Sequence, residues 1–282
     1  MNNLLKSVFI SAYGPYAVVV TFIAAQKLYD DLSPGWLGVL LSHAPMGLFF
    51  MWVMVLRNLP RSHPWLPAIS AITLAGVLLS FAGPLDQNIV VVVLGIAGAI
   101  AYLLYLFWYS RFHRAPATAL RIGAALPEFS ATDSAGTKFN TEDLRGYPAV
   151  LLFYRGNWCP LCMAQIKEIA ASYKSLAEKK NQVILISPQP QTKSAQLAKR
   201  FDAPMRFVVD VDNRIARQLG IEWQHSLPAG MQVLGYNSES VLPTVIVVDA
   251  TGTIVLADQT DNYRIRPEPE SFIAALAPAS GR

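Results

Sequence analysis

Cys159 and Cys162 are the only two cysteines in the chain, with Pro160-Leu161 between them. Side chains three residues apart on a helix share a face, so one sulfur can attack whatever forms on the other. The thiolate is the reactive form. A cysteine in the first turn of a helix meets backbone N–H groups and the positive end of the dipole, and both favour that form. Cys159 opens the helix and is expected to be the more exposed sulfur. Pro160 fits the first helical position, where a missing N–H costs little and φ is already set. A structural bridge across so short a loop stabilises little, so the pair reads as one that cycles between dithiol and disulfide. Half a zinc site is a rival reading. It needs two further Cys or His ligands, and the other histidines of this half, His113 and His225, are far apart in sequence. Trp158 is placed to shield the pair. Arg155 is either an anion-stabilising group beside the sulfurs or a surface charge at a strand end.

These residues need elements to hold them. The cysteines follow Ala149-Val150-Leu151-Leu152-Phe153-Tyr154, the continuous apolar run of a strand buried on both faces. After them Ile166, Ile169, Ala170, Tyr173 and Leu176 recur at helical spacing, with Lys167, Glu168 and Lys174 opposite. Lys179-Lys180-Asn181 closes that helix in the sense its dipole favours. Residues 183–186 form a second buried strand, which makes a βαβ unit with a parallel pair. Hairpins are expected around Asp133-Ser134-Ala135-Gly136 and Asp249-Ala250-Thr251-Gly252. Helices are expected over 192–201, 213–219 and 268–276, and a strand over 207–209.

The rest of the chain is of another kind. It is 53% hydrophobic and 15% charged overall, against about 25% charged for a soluble domain, and the apolar excess precedes Arg111. Four segments there, 8–25, 36–56, 66–82 and 89–108, contain no Asp, Glu, Lys or Arg. Each reaches or approaches the ~20 residues a helix needs to cross a bilayer, the third being the shortest. Gly83-Pro84-Leu85-Asp86 is one of the turns between them. The first is expected to be an uncleaved helix rather than a signal peptide, because Lys6 alone precedes it and three more segments follow. In a four-span arrangement Lys6, Arg57, Arg61, Arg111, Arg114 and Arg121 fall on one side and Lys27 on the other. That places both termini, and the redox half, in the cytoplasm, whereas without the third span the redox half would fall outside. His43 is the one ionisable residue inside a span and so a functional suspect. No second histidine lies inside a span to complete a haem site, and an anchor or docking platform is the simpler reading. The net charge of +4, without basic runs interleaved with aromatics, gives no sign of nucleic-acid binding. The expected organisation is a membrane region over 1–111, a basic linker over 112–119 and a redox domain over 120–282.

Several stretches carry a resemblance: Leu126-Pro127-Glu128-Phe129, Asp143-Leu144-Arg145-Gly146, Phe153-Tyr154-Arg155-Gly156-Asn157-Trp158-Cys159-Pro160-Leu161-Cys162, Ile186-Ser187-Pro188-Gln189, Leu242-Pro243-Thr244 and Arg266-Pro267-Glu268-Pro269-Glu270. The second half resembles the peroxiredoxins of the alkyl hydroperoxide reductase C and thiol-specific antioxidant family. The resemblance implies an α/β thioredoxin-like fold, a mixed central sheet flanked by helices, here preceded by an all-α transmembrane region of four helices. It implies an oxidoreductase that reduces hydroperoxides through Cys159 and Cys162, with no cofactor beyond that redox-active disulfide. Its electron donor would be a thioredoxin-type protein or a small thiol. A protein disulfide is the alternative substrate, and a non-catalytic membrane redox sensor the alternative role. By resemblance to thioredoxin-like proteins Pro243 is a cis proline packed against the CxxC, with the neighbouring backbone at Thr244 available to substrate. The chain also departs from the pattern. Arg155 and Cys159 stand where peroxiredoxins carry Pro and Thr or Ser, which puts Cys162 in the peroxide-attacking position. Pro243 replaces the family's supporting Arg, and Phe153 stands where thioredoxins carry a buried acid. The family motif thus points to Cys162 as the attacker of peroxide, and helix-end electrostatics to Cys159.

Overall fold

The computed structural model describes residues 2–82, 85–177, 181–201, 203–237 and 239–276. The Gly83-Pro84 turn and the expected helix end at Lys179-Lys180 lie outside these, as do the side chains of Asp86, Tyr173, Lys174 and Leu176. The chain divides into two compact units, one of Met1–Arg57 and Ser62–Arg111, the other of Asn58–Arg61 and Phe112–Arg282.

The first unit is helical: α1 Asn2–Asp30, α2 Pro34–Leu56, α3 Pro67–Ser80 and α4 Leu85–Leu103, the last running into a π-helical turn over Leu104–Tyr109. Among the described residues three helices, Asn2–Asp30, Pro34–Leu56 and Ile89–Tyr109, are long and apolar enough to cross a membrane. The third apolar segment is shorter than its composition promises. Pro67 starts α3, Phe81 follows its last residue, and the 14 residues between span about 21 Å against a hydrocarbon core of ~30 Å. A Cβ on Gly38 would lie 2.4 Å from the Ser80 backbone nitrogen, and one on Gly76 2.6 Å from that of Ser42. Only glycine lets these two backbones meet, which is how apolar helices associate where water does not drive them together. His43 is buried and satisfied, with Nε2 3.1 Å from Tyr16 Oη and Nδ1 2.9 Å from Ser42 Oγ. Lys6 lies inside α1 rather than ahead of it, and its Nζ donates to the Arg111 carbonyl. Trp108 Nε1 donates to Asn2 Oδ1 at 2.9 Å. The start of α1 and the end of the π-helical turn therefore share one end of this unit.

The second unit is built on strands β1 Ser130–Asp133, β2 Lys138–Asn140, β3 Ala149–Phe153, β4 Gln182–Ser187, β5 Arg206–Val209, β6 Glu222–Trp223, β7 Ser240–Val241, β8 Thr244–Val248 and β9 Ile254–Asp258, with helices α5 Pro160–Ala177, α6 Gln191–Ala198, α7 Arg214–Gln218 and α8 Pro269–Leu276. Seven strands form one sheet in the order β2-β1-β5-β4-β3-β8-β9, and β6 pairs with β7 apart from it. β3 runs parallel to β4 and antiparallel to β8, so the sheet is mixed. Every residue of β3 and β8 is buried, as their unbroken apolar runs require. Both expected hairpins form. In each, an aspartate oxygen accepts two backbone N–H groups of its own turn, Asp133 from Ala135 and Thr137, and Asp249 from Thr251 and Thr253. This is the thioredoxin-like arrangement of a mixed sheet with helices α5 to α8 around it. Residues 112–117 are tied into the same unit: Phe112 N donates to Asp261 O, Arg114 N to Asp261 Oδ1 and Ala117 N to Gln259 Oε1.

Candidate functional site

β3 delivers the chain to the site. Its last pair with β8 is Phe153 with Thr244. The following residues, from Tyr154 to Cys159, make a loop before α5 starts at Pro160. Gln189, on the loop after β4, fastens that loop. Its Oε1 accepts the Asn157 N–H at 2.8 Å, and its Nε2 donates to Tyr154 Oη and Ser194 Oγ, each at 3.1 Å. Tyr154 is fully enclosed, and burial pushes its hydroxyl well above the ordinary tyrosine pKa.

Cys159 sits one residue ahead of α5 and Cys162 in its first turn. Both thiols are free, and Cys162 Sγ donates to Cys159 Sγ across 2.7 Å. The Cys162 backbone N–H also points at Cys159 Sγ, 3.4 Å away. Cys159 is the more exposed of the two, but only just: it is 2% exposed and Cys162 0%, so both sulfurs are buried. Burial alone raises the Cys159 pKa. The Cys162 thiol hydrogen bond, the charges of Arg155 and Arg266 and the Cys162 N–H outweigh it and pull the value down to about 6. The Cys162 thiol moves the other way, raised by burial and then by donating to a neighbour that carries the negative charge.

Arg155 is no strand-end surface charge. It is 4% exposed, and its guanidinium carbon stands 4.4 Å from the Trp158 ring centroid and 4.5 Å from that of Trp223. Its Nη2 donates to Ser226 O at 2.6 Å. Trp158 is half-buried and covers Arg155. Pro243 and Thr244 line a small cavity together with Arg266. Among the described residues no peptide bond is cis, so Pro243 is trans, contrary to expectation. Just before it, Leu242 N donates to Ile221 O at 2.8 Å as β7 passes into β8. The backbone there is also taken: Arg114 Nη1 donates to Pro243 O and to Thr244 Oγ1, both at 3.3 Å. Among the described residues no three His, Cys, Asp or Glu side chains gather as a metal ion requires.

Gln189, Trp223, Ser226, Arg266 and Tyr236, whose hydroxyl donates to Asn157 Oδ1 at 2.5 Å, had no place in the sequence reading of the site. Of these, Gln189 and Arg266 stand in stretches that carry the resemblance. Trp223, Ser226 and Tyr236 lie in a segment without pattern.

Over 189 residues the chain is 23% identical to the thiol-disulfide oxidoreductase ResA of Bacillus thuringiensis (strain Al Hakam), covering 67% of this chain and 95% of that protein. Over 136 residues it is 23% identical to the peroxiredoxin Bcp of Bacillus subtilis (strain 168), covering 48% and 83%. Peroxidoxin BcpB of Mycobacterium tuberculosis, a solved structure, aligns over 55% of this chain and 96% of its own at 22% identity, with a TM-score of 0.45. The AhpC/TSA family model matches residues 122–257, the stretch that holds both cysteines and all but the last residue of the sheet from β1 to β9.

Proposed function

We propose that this chain is a membrane-anchored thiol peroxidase that reduces hydroperoxides through Cys159 and Cys162. The observation that carries the reading is a buried Cys159 flanked by cations and hydrogen-bonded by the Cys162 thiol. The Cys159 thiolate attacks the terminal oxygen of ROOH, the O–O bond breaks, and the alkoxide takes a proton to leave as ROH. Cys159 is now a sulfenic acid. Cys162 attacks its sulfur, water leaves, and the disulfide forms. A dithiol donor, a thioredoxin-type protein or small thiols, returns two electrons and two protons. The cysteine pair carries the electrons, so the cycle calls for no separate cofactor. With both sulfurs almost fully enclosed, a small oxidant reaches Cys159 without the local opening that any protein partner, substrate or donor, requires. Reduction of protein disulfides is the second reading, favoured by the adjacency of the two thiols and by the likeness to a thiol-disulfide oxidoreductase.

The helical unit is proposed to hold the chain in a bilayer with the redox unit on the cytoplasmic side. Its first and last turns meet through Lys6 and Arg111, which an even number of crossings demands, and basic residues mark that end. The test is steady-state assay of the full-length chain in detergent. Hydroperoxide loss sustained by a thioredoxin system and abolished in Cys159→Ser supports the reading. Reduction of a model protein disulfide with hydroperoxide untouched replaces it with the second.

A further inference from the structure

Trp223 lies 68 residues from Arg155 in sequence and outside the main sheet, on the two-residue strand β6, where it pairs with Ser240. We propose that Trp223 is a positioning residue which, with Trp158, clamps Arg155 as a cation no carboxylate neutralises, so that its charge falls on Cys159. This rests on the reading of Cys159 as the reactive thiolate.

A buried guanidinium ordinarily takes a carboxylate partner, because an uncompensated buried charge is costly. Among the described residues Arg155 has none. Two tryptophan faces take that place, their centroids 4.4 and 4.5 Å from the guanidinium carbon. The negative face of an aromatic ring holds a cation without removing its charge. A carboxylate at the same place would hold Arg155 equally well and cancel its field at the sulfur. One carbonyl, Ser226 O, fixes Nη2, while Nε is buried without a partner.

The segment between β6 and β7 is built around this contact. Ser226 Oγ donates to Trp223 O at 2.8 Å, and Ser240 Oγ to Arg155 O at 3.3 Å. Phe112 stands edge-on to Trp223, centroids 4.9 Å apart at 86°. The Trp223 indole N–H is buried and unpartnered, so the ring is kept there for its face and not for a hydrogen bond. The other groups acting on Cys159 are Cys162 in α5 and Arg266 ahead of α8, and Tyr154 faces Cys162.

The test is the pH profile of iodoacetamide alkylation of reduced full-length chain in detergent, with Cys162→Ser in every variant so that one thiol is read. Trp223→Met fills the space without a π face and is expected to move the half-point upward by about half a pH unit or more, a roughly threefold loss of rate below the half-point. Trp223→Phe restores a face and most of the profile. In an Arg155→Met background Trp223→Met is expected to add nothing, because the tryptophan acts through the arginine. An unchanged profile in Trp223→Met, or an equal further shift in the Arg155→Met background, overturns the proposal. If Trp223→Met does not fold, ring-fluorinated tryptophans placed at 223 keep the shape and weaken the face. A half-point that climbs with fluorination supports the clamp, and a flat series overturns it. Alkylation consumes no hydroperoxide, so a chain without peroxidase activity still reports on the clamp.

Discussion

Cys162 gives its thiol hydrogen to Cys159 across 2.7 Å. The donor is the sulfur whose proton is held more tightly, and the acceptor the one whose pKa is lowered. On this ground we propose Cys159 for the attacking role which helix position and family motif divide between the two. Cys162→Ser is expected to keep the attacking thiolate and accumulate a sulfenic acid with hydroperoxide, or a mixed disulfide with a thiol substrate. Cys159→Ser is expected to be inert to both. Mass spectrometry of trapped adducts checks this, and an adduct on Cys162 in Cys159→Ser at the wild-type rate reverses the assignment.

The pH dependence follows with a definite sign. Alkylation rate tracks the thiolate fraction, so it rises with pH through the Cys159 pKa and levels off above it. The half-point is expected near the value of about 6 set by Cys162, Arg155 and Arg266 against burial, not at the ordinary thiol value of ~8.5. Removing the Cys162 donor raises it. A half-point at the ordinary value in the wild-type chain removes the electrostatic account of the site.

The parts of the site legible in the sequence are those with local pattern. The apolar run into β3, the CxxC at the head of α5 and the Asp-to-Gly turns of both hairpins each have a signal within ten residues, and each forms as read. The parts that escaped have none. Trp223 reaches Arg155 from a two-residue strand in a segment with neither helical nor alternating periodicity, and that same segment helps bury the cysteine loop, which helix position alone leaves exposed. Arg266 was visible as part of a resemblance, but its charge at Cys159 depends on how the chain folds back after β9. In the helical unit, composition marked the apolar segments well and the length of α3 poorly, because apolar residues run past both helix ends.

Arg266 gives a second, independent handle on the sulfur. A stabilised thiolate stabilises the reduced state, which makes the disulfide more oxidising. Arg266→Met is therefore expected to lower the reduction potential of the Cys159–Cys162 pair by roughly 10–30 mV, where ~30 mV corresponds to a tenfold change in the thiol–disulfide equilibrium. Equilibration against glutathione reads the shift. A potential that rises shows that Arg266 acts otherwise than through the thiolate.

The boundary of the redox unit is also testable. Phe112 packs edge-on to Trp223 and Arg114 bonds Thr244, so both belong to the folded unit. A fragment starting at Phe112 is expected to fold without detergent and to exceed one starting at Leu120 in unfolding free energy by about 2–3 kcal/mol, chiefly the buried Phe112 ring. Urea denaturation compares them, and equal midpoints with equal slopes mean that residues 112–119 contribute nothing.

The central claim is that hydroperoxide reacts directly at Cys159 and leaves the chain as a disulfide. Mixing reduced full-length chain with one equivalent of hydroperoxide in a stopped-flow instrument, with the tryptophan fluorescence followed and the product alkylated and weighed, tests it most directly. The account predicts a second-order phase whose rate rises with peroxide concentration, a product lacking two hydrogens with both thiols blocked, and no such product from Cys159→Ser. Oxidation no faster than that of a free thiol under the same conditions, with the pair still rapidly oxidised by a protein disulfide, contradicts it.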